Sequence, residues 1–329
     1  MEPLLVLSLL VSFLITLFFT PVWIKKAHQT GLIWEDMNKP DHPKNVAGSG
    51  GISVLLGFSL GVLFYIALKV FYFKTNGTLI ELFALLTSVI IISFVGFIDD
   101  LLGWHKGGLS KASRIILLFC AAVPLMVINA GQSHILGIEF GLLYPLIIIP
   151  LGIVGVSATY NFLAGYNGLE AGQGIIILSA MGFATWKTGN PWLTVVCLCM
   201  VAALTAFYFF NKYPAKVFPG DILTYAIGSL IAIVSILGDL ETIAAFFFIP
   251  YILEVVLKAR GKLKKQSFGK PNDDGSLEIP YEKIYGLEHL AIYLLQRVKP
   301  SKKVHEKDVV YTINFFQIVI IIIGILIFL

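Results

Sequence analysis

Two adjacent aspartates, Asp99 and Asp100, close the apolar run SVIIISFVGFIDDLLG. Asn161 stands near the end of another such run in TYNFLAGYNGLEAGQG, and Asp221 opens a third behind Pro219-Gly220 in FNKYPAKVFPGDILTYAIG. Each sets a polar group where apolar residues would otherwise continue, and an ionisable group at membrane depth normally faces a polar cavity or a partner. Carboxylates and an amide oxygen are the hard ligands Mg²⁺ prefers, and that ion commonly takes one or two protein groups together with water and phosphate oxygens of a substrate. A diphosphate is the guest such a set suits. Glycines at 165, 168, 172 and 174 would let backbone approach it closely, and helix N-termini at Asp221 and after Gly174 would offer N–H groups to an anion. Lys44, Lys106, Lys111 and Arg114 would supply compensating positive charge. Taken singly, each residue also has an ordinary structural role: a solvated helix end, a turn or, for Asp221, an N-cap.

The elements that must position these groups are membrane helices. Of 329 residues, 57% are hydrophobic and only 13% charged, against about a quarter charged in soluble domains. Apolar runs of spanning length, roughly 17 to 25 residues, fall near 3–24, 49–72, 78–98, 113–130, 142–160, 174–188, 192–210, 221–237, 240–258 and 310–329. An all-α polytopic membrane protein of about ten helices, forming one domain over 1–329, is expected. Only Met1 and Glu2 precede Pro3 and no basic segment comes before the first run, which argues for a retained helix instead of a cleaved signal. The alternate connections beginning with 25–48 hold 21 of the 24 Lys and Arg once Arg114 and Lys258 at their edges are included. By the positive-inside rule those connections are cytoplasmic and both termini lie outside. The net charge of +4 is then a topological signal and gives no reason to expect nucleic acid. Cys120, Cys197 and Cys199 all fall inside predicted spans as small buried apolar side chains.

The one extended polar region is 259–309. SFGKPNDDGSLEIPY reads as two short strands about an Asn-Asp-Asp-Gly turn. In the piece that follows, Ile284, Leu287, Leu290, Ala291, Leu294, Leu295 and Val298 recur at helical spacing, so an amphipathic helix on the membrane surface is expected.

In matching order, FVGFIDDLLG, NFLAGYNGLEAGQG and KYPAKVFPGD resemble the aspartate pair, the nucleotide loop and the metal-binding aspartate segment of the polyprenyl-phosphate N-acetylhexosamine-1-phosphate transferases. The resemblance covers about residues 20–300. NGLEAG and GSLEIPYEKI are similar to the eukaryotic and archaeal branch that makes dolichol-linked N-acetylglucosamine, whereas the histidine-rich motif of bacterial branches and the Arg-His-Arg cluster of the eukaryotic enzyme have no counterpart here. The nearest basic groups in that loop are Lys264, Lys265 and Lys270, and the six histidines, among them His28, His42, His105, His134, His289 and His305, read as surface or boundary residues.

The resemblance implies transfer of GlcNAc-1-phosphate from UDP-GlcNAc to a polyprenyl or dolichyl phosphate, releasing UMP. It implies Mg²⁺, with Mn²⁺ as a substitute, on Asn161 and Asp221. Asp99 would take the remaining proton of the lipid phosphate and Asp100 would hold its surroundings. Lys111 would meet the phosphates and Asn167 the nucleotide, with Gly168, Glu170, Lys44 and Lys270 completing the substrate site. A covalent aspartyl-phosphate route stays open, as does a homodimer. The setting would be an archaeal plasma membrane or the endoplasmic reticulum, with the site cytoplasmic and a groove beside Asp99 admitting the lipid. A secondary transporter would place its carboxylates near the bilayer midplane, often in repeated halves, and a UbiA-type prenyltransferase would need a second acidic cluster that DDLLG lacks.

Overall fold

Helices account for most of the chain in the computed structural model, which describes residues 3–131, 134–135 and 138–329. Glu2 and the side chains of His105, Lys106 and His134 lie outside the described residues. The helices are α1 Val6–Thr30, α2 Gly51–Ala67, α3 Leu79–Lys106, α4 Lys111–Ala121, α5 Val123–Val127, α6 Ile149–Tyr160 and α7 Leu169–Lys187, followed by α8 Pro191–Asn211, α9 Asp221–Leu237, α10 Glu241–Phe247, α11 Ile249–Arg260, α12 Leu287–Val298 and α13 Glu306–Phe328.

Every apolar run read from the sequence carries helix, and among the described residues five segments are both long and apolar enough to cross a membrane: Val6–Thr30, Gly51–Tyr72, Leu79–Trp104, Pro191–Asn211 and Glu306–Phe328. A sixth forms if α10 and α11, bent by 60° about Phe248, count as one span. Length and composition together thus support five or six of the expected ten. The 113–130 run breaks where α4 gives way to the five residues of α5, and Tyr144–Tyr160 and Asp221–Leu237 are shorter apolar helices. Large apolar side chains such as Phe18, Phe71, Val127, Phe315 and Leu326 point outward. A surface of that kind matches a hydrocarbon environment, in which such side chains carry no penalty.

Helix α9 lies at the centre, buried along nearly its whole length, with α3 and α6 against it. Helices α7 and α8 pack on one another, and α1 and α2 close against α8. Small residues permit the closest approach. Ser12 and Thr16 of α1 occupy the space a Cβ on Gly57 or Gly61 of α2 would need, and Thr20 donates to Ser53 Oγ at 2.9 Å. Lipid tails supply little hydrophobic drive between helices, so tight contact and interhelical hydrogen bonds carry the association.

Three small hairpins join this bundle. β1 Ile33–Glu35 pairs antiparallel with β2 Lys44–Ala47, in a stretch read from the sequence only as a connection. The N–H of Phe218 then donates to Ala47 O at 2.8 Å, fastening that hairpin to the chain just before Asp221. β3 His134–Ile135 pairs with β4 Ile138–Glu139. β5 Lys270–Pro271 pairs with β6 Leu277–Glu278 about the expected turn, where Gly275 takes φ +76°. Helix α12 follows and buries Leu287, Ala291 and Ile292 while Leu294 and Val298 stay exposed. His289 departs from its expected surface place. It is fully buried on the same helix, because its ring sits on the packed face against Tyr281 and Phe268 O.

Candidate active site

Asp99 and Asp100 sit just under two turns before the end of α3 and, as neighbours on a helix, point in different directions. What Asp99 meets is decided by the turn that follows. Gly107 and Gly108 both adopt positive φ (87° and 83°), and Ser110 caps α4 by accepting from the N–H of Ser113 at 3.1 Å, so α4 folds back along α3. Arg114, one turn into α4, thereby reaches Asp99 Oδ2 at 2.6 Å, while the N–H of Leu109 donates to Asp99 Oδ1 at 2.7 Å. A Cβ on Gly108 would stand 2.8 Å from that same oxygen.

Asp100 turns toward α9. Its Oδ1 accepts the backbone N–H of Asp221 at 2.7 Å, so a carboxylate from α3 caps a helix whose own N-cap residue, Gly220, has no side chain. Gly220 takes φ +72°, and any Cβ there would collide with Asp100. Asp221 accepts from Asn161 Nδ2 at 3.0 Å, and Thr224, one turn further along α9, donates to Asn161 Oδ1 at 3.1 Å. The ends of α3, α6 and α9 thus meet in one polar knot.

The knot opens into a cavity of about 580 Å³. Asp100, Asn161, Asp221, Lys44 and Glu170 line it, as do Trp34, Trp104, Phe218, Gln266 and Phe268. Glu170 is buried and accepts from the N–H of Gly165 at 2.7 Å, holding the Gly165 turn at φ +104°. Phe268 lies against Gly165, within 2.6 Å of where a Cβ would be.

Other residues singled out by sequence lie off this wall. Asn167 is buried behind it with its polar atoms engaged: the N–H of Ala215 donates to Oδ1 at 2.7 Å, and its Nδ2 donates to Glu306 Oε1 and, at 3.3 Å, to Asp36 Oδ2. That arrangement makes Asn167 a fastener of four segments of the chain. Gly168 opens α7 at φ +84° against Tyr208 and Lys212. Lys111 is exposed at the first position of α4, one turn short of the inner face that Arg114 occupies, and Lys270 is exposed on β5. Sequence reading counted Arg114 only as general positive charge and passed over Thr224, Trp34, Trp104, Gln266 and Glu306. Two had a local signal: Thr224 follows Asp221, and Trp104 follows Asp100, at one helical turn.

Among the described residues no three His, Cys, Asp or Glu side chains form a ready-made metal cage. The donor chemistry nevertheless suits Mg²⁺. Among the described residues the charged groups acting most strongly on Asp221 are Asp100, Asp99 and the cation Arg114, a crowding of negative charge that a divalent ion relieves. An Asn161 oxygen that accepts one hydrogen bond keeps a lone pair for a cation, and Mg²⁺ needs few protein ligands when phosphate supplies the rest.

Comparison with known proteins agrees with this architecture. Residues 82–239 match the model of glycosyl transferase family 4. The chain is 37% identical, over 87% of each chain, to a protein of Saccharolobus solfataricus provisionally named a UDP-N-acetylglucosamine dolichyl-phosphate N-acetylglucosaminephosphotransferase. A similarly named protein of Sulfolobus acidocaldarius is 35% identical over 82% of each chain. A Bacillus subtilis protein provisionally named an undecaprenyl-phosphate N-acetylglucosaminyl 1-phosphate transferase is 27% identical over 97% of this chain and 89% of its own. The chain belongs to glycosyl transferase family 4, and it carries the helical, apolar build of an integral membrane protein.

Proposed function

We propose that the protein transfers GlcNAc-1-phosphate from UDP-GlcNAc to a polyprenyl phosphate of the dolichyl type, releasing UMP. The observation that carries this reading is the meeting of Asp100, Asn161 and Asp221 on the wall of a cavity walled elsewhere by aromatic residues, in a chain whose archaeal relatives bear that activity in their names. A second, apolar furrow of about 460 Å³ runs from Tyr144, just before α6, along α6 to Thr159, two residues short of Asn161, with α9, α10 and α11 as its other walls. It suits an isoprenoid chain. Nothing stands within 4 Å of where a Cβ on Gly152 or Gly155 would be, so these glycines leave the furrow open. Gly155→Phe should therefore raise KM for a long polyprenyl phosphate about tenfold or more while KM for the nucleotide sugar stays near wild type, the loss expected when an apolar contact of a few kcal/mol is blocked.

In this reading an oxygen of the lipid phosphate attacks the phosphorus attached to the sugar, and the bond from that phosphorus to UMP breaks. Asp221 and Asn161 would hold a Mg²⁺ ion, which when bound neutralises the diphosphate and the charge gathering on UMP. Thr224 keeps the Asn161 amide turned toward Asp221. Arg114, fixed by Asp99, presents a guanidinium whose remaining N–H groups match phosphate oxygens. Asp99 retains lone pairs to take a proton from the acceptor, and Asp100 holds the first turn of α9, and with it Asp221, in place. Lys44 supports the donor from the cavity rim.

Purified protein with radiolabelled donor tests the reading. UMP release should require polyprenyl phosphate, and kcat/KM for UDP-glucose should be at least about a hundredfold below that for UDP-GlcNAc, since buried groups that bind the N-acetyl function are left unpaired. Preference for UDP-MurNAc-pentapeptide would defeat the donor assignment, and UMP release without a lipid acceptor would defeat the reaction.

The charge bias supports a cytoplasmic cavity with both termini outside. Ser301 is exposed, and a single cysteine there, in a background lacking the native cysteines, should resist an impermeant thiol reagent in intact cells and react after lysis. Labelling before lysis would reverse the orientation.

A further inference from the structure

Two residues of the long polar segment, Gln266 and Phe268, reach the cavity wall, and Ser267 between them is anchored from behind. Its carbonyl accepts from Tyr166 Oη at 3.3 Å, and its hydroxyl accepts from Lys258 Nζ. Lys258 also lies 3.5 Å from Glu254 Oε1, one turn back on α11. The other oxygen of Glu254 accepts the N–H of Leu287 at 2.6 Å, which caps α12, whose N-cap Gly286 has no side chain to do so. Beside this cap sits Glu288, fully buried. A Cβ on Gly286 would lie 2.6 Å from Glu288 Oε2 and 3.1 Å from Glu254 Oε1, so the two carboxyls converge on that glycine. Glu288 finds no full hydrogen bond among the described residues, although Ser267 lies alongside it.

One cation cannot balance two buried carboxylates, and an unpaired buried charge is costly. Lys258 and the α12 N-terminus account for the charge of Glu254. We propose that Glu288 is the protonated member of a buried clamp with Glu254 and Lys258, and that this clamp positions Gln266 and Phe268 against the donor cavity. Burial first, and then the nearby Glu254, pushes the Glu288 carboxyl well above the ordinary range. The other titratable groups facing it are Lys258 and Tyr251 from α11 and Tyr166 from the loop before α7. Its chain neighbour His289 is held toward the neutral form by burial and so adds no second cation. Because the folded-state value is raised, the stabilisation is complete below the ordinary glutamate range and is lost as pH rises through the raised value. Alkaline pH would place two adjacent negative charges behind Ser267, and the wall carrying Gln266 and Phe268 would loosen.

Glu254 and Glu288 are thus positioning residues, and Glu288→Gln, which keeps shape and neutrality, separates this role from simple packing. Two measurements decide it. In the first, which rests on the transferase reading, the wild-type KM for UDP-GlcNAc should rise about tenfold in all as pH is raised from the ordinary glutamate range into the alkaline, inside the limit of about tenfold per pH unit set by one linked proton. In E288Q that rise should vanish, with KM for the lipid acceptor following the same profile in both proteins. In the second, which is independent of activity, hydrogen exchange in detergent should show protection factors of residues 263–286 falling over the same pH range in wild type and holding in E288Q. Identical pH behaviour of wild type and E288Q in the exchange experiment would overturn the clamp. A wild-type protein that releases no UMP, yet shows the exchange difference, would overturn the transferase reading and leave the clamp standing.

Discussion

Alanine at Asp221 is expected to lower turnover by at least about a thousandfold, roughly 4 kcal/mol of transition-state stabilisation, while the protein still folds and inserts. The size follows from what converges there. Asp221 is the first residue of α9, it accepts from Asn161, and its charged neighbours are Asp99, Asp100 and Arg114. Removing it relieves repulsion among carboxylates, so stability should hold or rise, and the loss should fall on kcat instead of expression. The Asp100 cap survives, because Asp100 contacts the backbone N–H of residue 221 and not its side chain. Chelation of divalent ions should silence the wild type to a similar degree, and titrating Mg²⁺ into Asp221→Ala should not restore it. Full activity in that variant would remove Asp221 from the metal site. The measurement is UMP release at saturating donor and acceptor, with thermal unfolding in detergent as the folding control.

Arg114→Met should cost at least about a hundredfold in kcat/KM, whereas Lys111→Met should change it less than about threefold. The contrast tests the site's geometry, since the two cations lie three residues apart on one helix. Lys111 is exposed at the start of α4, and Arg114 is bonded to a buried Asp99. Deleting Arg114 leaves Asp99 buried without its counter-charge, which costs more than the pair itself contributes. Arg114→Lys keeps the charge but loses the planar fork, and it should recover part of the loss, chiefly through KM for the phosphate-bearing substrates. Equal effects at positions 111 and 114 would contradict the assignment.

Much of this protein could be read from its chain. The apolar runs mark where helices form, because backbone in hydrocarbon must satisfy its own hydrogen bonds. The polar breaks at Asp99-Asp100, Asn161 and Asp221 mark the helix ends that meet, and the Asn-Asp-Asp-Gly turn marks the β5–β6 hairpin. These are local signals, carried by composition and by residues adjacent in sequence.

What the chain by itself could not specify is partnership across distance. Asp100 capping a helix 121 residues further on, Asn167 tied to Glu306 and the convergence of Glu254 and Glu288 at Gly286 each join elements whose separation in sequence carries no period. The same holds for the pairing of Asp99 with Arg114, three residues beyond Lys111, which depends on how the Gly107-Gly108 turn sets α4 against α3. It holds again for the spans, of which five or six among the described residues are long and apolar enough to cross a membrane. Hydropathy records which residues avoid water, and only packing decides whether an apolar helix faces lipid, as α13 does in large part, or is enclosed by other helices, as α9 is.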